Sequence, residues 1–102
     1  MEIKIHSIHF DADQKLLDFI EKKVSKLGVF YDRPAAMEAE VYLKMEDMDA
    51  PVKDKVVEIK VHVPGTTLFA SETTKSFEES LTGAVDHARR QIKKHKEKLH
   101  SK

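Results

Sequence analysis

The feature that most constrains this chain is a pair of segments in which apolar and polar residues alternate one by one. Apolar side chains occupy every second position over 37–45 and again over 57–63. Because successive side chains of a β-strand point to opposite faces of a sheet, this period predicts two strands with one buried face. The polar connection between them, 46–54, is predicted to be a mobile loop. The rest of the chain must supply the apolar layer that covers the buried face.

Two more strands are predicted, one before and one after this pair. Apolar residues alternate over 3–5 and continue in the opposite phase over 8–10, which indicates a strand with a bulge or bend near 6–7. Pro64-Gly65 predicts a tight turn into a further strand around 68–70. The last three strands therefore form a β-meander.

Two other segments have apolar residues at helical spacing. The first helix is predicted over about 12–27, with Asp11 and Asp13 as alternative caps and Gly28 as its stop. The second is one long helix that begins with a capping-box pattern, serine and then glutamate three positions later, and spans about 76–100. Their apolar positions are Leu16, Leu17, Ile20, Val24 and Leu27, and then Phe77, Leu81, Ala84, Val85, Ala88, Ile92 and Leu99.

These elements follow the order β-α-β-β-β-α, and we predict the α+β class with a four-stranded sheet and both helices packed on one face. Each helix has an apolar stripe that needs a partner surface, and the strands offer one apolar face. A chain of 102 residues has the size of one domain. We expect a single domain over 1–102 with a frayed tail at about 100–102.

Composition excludes several classes of protein. Without cysteine there is no disulfide framework and no thiolate ligand or nucleophile. No apolar run approaches the roughly eighteen residues that a membrane span requires, and no secretory signal is present. We therefore expect a cytoplasmic protein that does not engage membranes.

Charge is sorted along the chain although the totals balance at eighteen basic and eighteen acidic residues. Residues 87–102 hold seven Lys or Arg and one acid, Glu97, whereas residues 31–58 hold eight acids and four bases. At about 100° per residue, the cations fall into stripes beside the apolar faces of both helices. These stripes are Lys15, Lys22 and Lys26, with Lys23 bordering the core side, then Arg89, Lys93, Lys96 and His100, and on the other flank Arg90, Lys94 and Lys98.

We interpret these stripes as a phosphate-binding surface, because duplex-like nucleic acid is held chiefly through its phosphates. If the helices lie side by side, Lys22, Lys23 and Lys26 join the last helix in one positive surface. The sequence therefore predicts an RNA-binding module. A basic helix can also be only a solvated face whose cations favour the helix dipole, and that alternative stays open. Phe30 and Tyr31 are predicted to pack over the end of the first helix rather than to stack on a base.

The six histidines do not favour a metal or catalytic site, because no pair has HxxxH or HxH spacing. His6 and His9, with Asp11 and Asp13 nearby, suggest a nuclease-like acid–base pair, but the chain offers no nucleophile or phosphate-cradling glycine loop beside them. His95 falls on the apolar stripe of its helix, which is typical of a histidine at the edge of a core. We expect no enzyme activity, no metal and no other cofactor.

Three segments carry a family resemblance: 19–27 (FIEKKVSKL), 30–33 (FYDR) and above all 86–99 (DHARRQIKKHKEKL). They resemble the ribosome hibernation-promoting factor family, also called ribosome-associated inhibitors, and the similarity follows essentially the whole chain in order. The last pattern, with arginine-glutamine-apolar-basic-basic and a lysine-rich end, is the most specific. The chain departs from the family at 76–78, where Ser-Phe-Glu replaces the common aspartate-methionine-tyrosine segment, so a contact by that tyrosine is not carried over.

The resemblance implies a fold like a double-stranded RNA-binding domain. It also implies a protein that lodges in the mRNA and tRNA channel of the small ribosomal subunit and holds idle ribosomes inactive during starvation or stationary phase. The implied partners are rRNA and ribosomal proteins of that subunit. We expect no small-molecule substrate, and we expect the free protein to be a monomer. The implied form is the short one, without the second domain by which long forms pair ribosomes. The family's basic positions match Lys22, Lys23, Lys26, Arg89, Arg90, Lys93, Lys94 and Lys96.

Two alternatives from other classes remain. One is a protein-interaction module that binds through the acidic middle or an exposed sheet edge. The other is a small hydrolase built on His6, His9 and the nearby acids. Co-sedimentation with ribosomes separates the RNA-binding hypothesis from both.

Overall fold

A computed structural model describes residues 1–46, 51 and 54–100. Its elements are β1 (Glu2–Ser7), α1 (Gln14–Ser25), β2 (Glu38–Glu46), β3 (Asp54–Val63), β4 (Thr66–Thr74) and α2 (Phe77–His100), with 3-10 turns at Lys26–Phe30 and Pro34–Ala36. This order confirms the predicted β-α-β-β-β-α arrangement. The loop predicted over 46–54 falls largely outside the described residues, as do positions 101 and 102 of the expected frayed tail.

The four strands form one mixed sheet in the order β1-β2-β3-β4. β1 runs parallel to β2, because α1 crosses over between them, whereas β2, β3 and β4 pair antiparallel. The register aligns Ile5 with Val41, Val41 with Ile59, and Ile59 with Ala70. The predicted alternation therefore places one continuous row of apolar side chains on the same face of the sheet.

Both helices cover that face, as predicted. Their apolar stripes and the inward side chains of the strands belong to one buried cluster. Its buried members include Leu16, Ile20 and Val24 from α1, Leu81, Ala84, Ala88 and Ile92 from α2, and Ala39, Val41, Leu43, Val57, Ile59, Val61 and Ala70 from the strands. Within the described ranges, the opposite face of the sheet carries no helix and presents mostly polar and charged side chains, together with the partly exposed ring of Phe69 on β4.

The structure decides between the two candidate caps of α1. The side chain of Asp13 accepts a hydrogen bond from the backbone N–H of Leu16 at 2.8 Å, so the helix begins after Asp13 and not after Asp11. At the other end, α1 ends at Ser25, before the end predicted at position 27, and the chain continues through the 3-10 turn Lys26–Phe30, which includes Gly28. The capping serine of α2 is confirmed, since Ser76 Oγ accepts from the N–H of Glu79 at 3.2 Å.

The first strand is shorter than its pattern predicted. β1 ends at Ser7, and residues 8–10 form a bend instead of a continued strand. His9 has φ +64°, in the left-handed region that only a few residues adopt without strain. The predicted turn at Pro64-Gly65 is present, and Gly65 supplies a φ of +88° there. Within the described residues, neither helix is long and apolar enough to cross a membrane.

Candidate nucleic-acid interface

The second half of α2 combines an anchored apolar stripe with a dense row of cations. Ala88 and Ile92 are buried against the sheet, and this fixes the rotation of the helix about its axis. Arg90, Lys93 and Lys94 then point to solvent and are exposed. The sequence spacing thus produces a cationic face that the fold leaves uncovered.

Cations from α1 and α2 meet at the seam between the two helices. Lys23 and Lys26 line the same cleft as Arg89, although more than sixty positions of chain separate them. Phe30 lines the same cleft, and its ring centre lies 5.9 Å from the Arg89 guanidinium and 6.0 Å from the Lys93 ammonium, whereas the Lys23 ammonium lies 5.6 Å from the ring centre of Phe19. The structure therefore brings part of each predicted set of cations together at one seam, namely Lys23, Lys26 and Arg89.

The other predicted site residues lie on either side of this seam. Arg90 and Lys94 line a shallow depression on the outer flank of α2, together with Arg89 and Lys93. Lys96 Nζ pairs with Asp32 Oδ1 at 2.9 Å, which ties α2 to the chain that follows the 3-10 turn. Lys22 is exposed on α1, one helical turn before Lys26, and lies outside the lining of the cleft.

The carboxylate of Asp86 organises the two arginines. Arg89 Nη2 donates a hydrogen bond to Asp86 Oδ1 at 2.7 Å, and Arg90 Nη2 forms an ion pair with Asp86 Oδ2 at 2.9 Å. The hydrogen bond from Arg89 is the main cause that lowers the pKa of Asp86, and the nearby Arg90 charge adds to it. Asp86 therefore stays ionised and orients both guanidinium groups. The Arg90 side chain is 66% exposed and keeps donors free for a further acceptor.

Two aromatic residues follow the first helix, and both pack against the core cluster. These are Phe30 and Tyr31, each only partly buried. No sequence pattern assigned a role to Val29, which lies between Gly28 and Phe30 and is 79% exposed on the rim of the same cleft. The one available signal in the sequence was an apolar residue placed directly after Gly28.

The histidines do not assemble into the nuclease-like pair. The His6 ring stacks on Tyr42, His9 is exposed at the bend, and Asp13 is engaged as the cap of α1. His95 lies at the edge of the core, and its Nε2 is buried without a partner in the part of the chain that the structure describes. No cluster of three or more His or acidic side chains among the described residues has the geometry to hold a metal ion.

The uncovered face of the sheet is organised around Glu40. Its carboxylate accepts a hydrogen bond from His62 Nε2 at 2.6 Å and from the Tyr42 hydroxyl at 3.0 Å. These bonds, the one from His62 first, lower the pKa of Glu40. Glu40, one carboxylate of the acidic middle of the chain, thus already has hydrogen-bond donors on its own strand and on the neighbouring strand of the sheet.

This network predicts a pH dependence of stability. A carboxyl group with a lowered pKa stabilises the fold above the ordinary glutamate pKa, and this contribution is lost as the pH falls through the lowered value. We expect the melting temperature to drop in that acidic range and the Glu40→Gln variant to show a shallower drop. Thermal unfolding across pH tests this, with Glu21→Gln on the exposed face of α1 as the control. Equal slopes for the parent and the Glu40→Gln variant would contradict the prediction.

The chain is similar in sequence to one protein family and in fold to solved structures. Residues 3–100 match the family described as Sigma 54 modulation protein / S30EA ribosomal protein. A ribosome hibernation promoting factor of Klebsiella oxytoca is 28% identical over 99 residues, covering 97% of each chain. The N-terminal domain of Thermus thermophilus Protein Y has a TM-score of 0.80 at 25% identity, covering 93% of this chain and 99% of that one. A ribosomal subunit interface protein from Coxiella burnetii has a TM-score of 0.79 at 18% identity, covering 94% and 98%, and supports the fold.

Proposed function

Because this chain belongs to the Sigma 54 modulation protein / S30EA ribosomal protein family, we propose that it is a ribosome-binding factor that holds idle ribosomes inactive. It acts in the cytoplasm by occupying the mRNA and tRNA channel of the small ribosomal subunit. Relatives named ribosome hibernation promoting factor align over nearly its full length, which supports this role. The observation that carries the proposal is the meeting of cations from α1 and α2 along one seam.

The mechanism requires no chemical step. Phosphates of rRNA are neutralised by cations on both sides of the helix seam, and the bulk of the domain then excludes messenger and transfer RNA. The proposed RNA-binding side chains are Lys22, Lys23, Lys26, Arg89, Arg90, Lys93, Lys94 and Lys96. Arginines suit this task because the planar guanidinium donates two parallel hydrogen bonds to a phosphate. Asp86 pre-orients Arg89 and Arg90, which lowers the entropic cost of ordering them on the ribosome.

Ribosome association should weaken steeply with salt. Each neutralised phosphate contributes about −0.9 to the slope of log affinity against log salt for duplex DNA and about −0.7 for single strands. With about five to eight contacts, we expect a slope of roughly −4 to −7. Co-sedimentation with purified small subunits over a range of potassium concentrations measures it. A slope shallower than about −2 would show that apolar or shape contacts dominate.

Occupancy of the channel has its own test. Small subunits that already carry messenger RNA and a transfer RNA should bind the protein more weakly than vacant subunits, because the same space is filled. Isolated large subunits serve as the control and should not retain it. If filled and vacant subunits retain the protein equally, the binding site lies elsewhere. If ribosomes do not retain the protein at all, the interaction-module alternative takes first place.

A further inference from the structure

An apolar cleft opens in the middle of the proposed RNA-binding surface. It lies between the C-terminal end of α1 with its 3-10 turn and the middle of α2, and its volume is about 450 Å³. Its surface is mostly apolar and is formed chiefly by Leu27, Val29, Phe30 and Val85. A volume of this size falls within the range of small-ligand pockets.

The exposure of this apolar surface needs an explanation. Single exposed apolar residues are common on proteins and carry little meaning. Here, however, Val29 at 79% exposure is continuous with the partly buried Phe30 and Val85 in one concave patch. Contiguous apolar patches with polar rims mark binding sites on soluble proteins.

Charge around the cleft restricts what it can bind. Lys23, Lys26 and Arg89 form its polar rim, and the Lys93 ammonium lies 6.0 Å from the Phe30 ring centre. The Asp86 carboxylate on the rim is compensated by two arginines and does not cancel the positive field. A flat apolar body attached to negative groups complements this arrangement. A nucleotide within single-stranded RNA has that chemistry, because every base has an apolar face and is flanked by phosphates.

We propose that this cleft binds one unstacked nucleobase of single-stranded RNA against Val29, Phe30 and Val85, while its flanking phosphates contact Lys23, Lys26 and Arg89. The inference rests on the proposed function and assigns to its surface a base-binding site in addition to phosphate contacts. The Asp86 carboxylate stands at the rim as an acceptor for an exocyclic amino group of the base. The cleft therefore lets the protein recognise RNA whose bases are unstacked.

The first experiment observes the cleft directly by NMR of the full chain with labelled valine methyl groups. The probes are a hexanucleotide of adenosine and an abasic hexanucleotide with the same phosphates. We expect the base-bearing RNA to move the Val29 and Val85 methyl resonances upfield through the ring current and to bind at least about fivefold more tightly. Equal affinities, or unmoved Val29 and Val85 signals with bound RNA, would overturn the inference.

A variant that fills the cleft separates base binding from phosphate binding. Thr82 is exposed on α2 and lines the cleft, so Thr82→Trp places a large ring there without changing charge. We expect this variant to lose the preference for the base-bearing RNA and to retain the abasic one. Thr73→Trp, on an exposed position of β4, is the matched control and should behave like the parent. If Thr82→Trp retains the preference, the base does not occupy this cleft.

The second experiment identifies the occupant on the ribosome itself. The full chain with a photo-cross-linking amino acid at position 29 is bound to purified small subunits, and its cross-links are identified. Cross-links to rRNA support the inference, whereas cross-links only to a ribosomal protein, or none from a complex that sediments normally, overturn it. Failure of the parent to sediment with ribosomes would instead refute the proposed function.

Discussion

Reversing the charges of Arg90, Lys93 and Lys94 together should abolish association with the ribosome. All three side chains are exposed on the uncovered face of α2, so they are accessible to phosphate. Charge-assisted hydrogen bonds contribute about 1.5–3 kcal/mol each, so the loss of three predicts an affinity decrease of more than about a thousandfold. Glutamate at these positions also adds repulsion. Co-sedimentation and inhibition of translation in a cell-free system measure the effect.

The fold should survive this change. Surface substitutions usually alter stability by no more than about 0.5 kcal/mol each. Arg90 does lose its ion pair with Asp86, but an exposed pair contributes only about 0–1 kcal/mol. A melting curve close to that of the parent would confirm that any loss of binding is electrostatic.

A charge-matched control distinguishes a specific surface from net charge. Lys4, Lys60 and Lys75 are exposed lysines away from the helix seam, the first two on the uncovered face of the sheet. Reversing them changes the net charge by the same amount. We expect this variant to keep most of its binding. If both triple variants lose binding equally, or if the Arg90, Lys93 and Lys94 variant sediments like the parent, the basic face of α2 is only a solvated surface.

The second large effect is expected from Ile92→Ala. Ile92 is fully buried and is the last buried apolar residue of α2 whose side chain is described, so it seats the cationic half of the helix on the sheet. Truncation of a buried isoleucine costs about 2–5 kcal/mol through lost transfer energy and the cavity left behind. We expect that loss in denaturant unfolding, together with faster hydrogen exchange near Lys93 and Lys94. Ribosome affinity should fall although no cation has been removed.

Ile59→Ala provides the comparison for this effect. Ile59 is also fully buried, but it lies in the central part of β3 and carries no part of the cationic surface. We expect a similar loss of stability and, for the folded fraction, affinity close to that of the parent. If both variants lose affinity alike at equal folded fraction, the position of α2 on the sheet is not what organises the surface.

Much of this architecture is determined by periodicity alone. Alternation over 37–45 and 57–63 specifies the inward face of β2 and β3, because a slip of one residue would expose every apolar side chain. The helical stripes likewise specify which face of each helix is buried. The same 100° spacing identifies the cations that lie beside each stripe.

The residues near the ends of the helices and strands do not by themselves predict where those elements begin and end. Asp11 and Asp13 are equally able to cap a helix, and only the backbone geometry selects Asp13. The apolar residues after Ser7 fit a continued strand, but the chain must leave the sheet there to begin the crossover helix, and it does so through the bend at His9. Gly28 is able to stop a helix but instead lies within a 3-10 turn.

The sequence by itself determined the order of elements, their buried faces and the identity of the cations on each helix, since these depend on spacing within a single segment. Only the tertiary structure decided that Lys23 and Lys26 line one cleft with Arg89 and Phe30, and that Val29 is left exposed on its rim. The reason is physical. Distances between segments far apart in the chain are set by how α1 and α2 pack on one sheet, and no local periodicity contains that information.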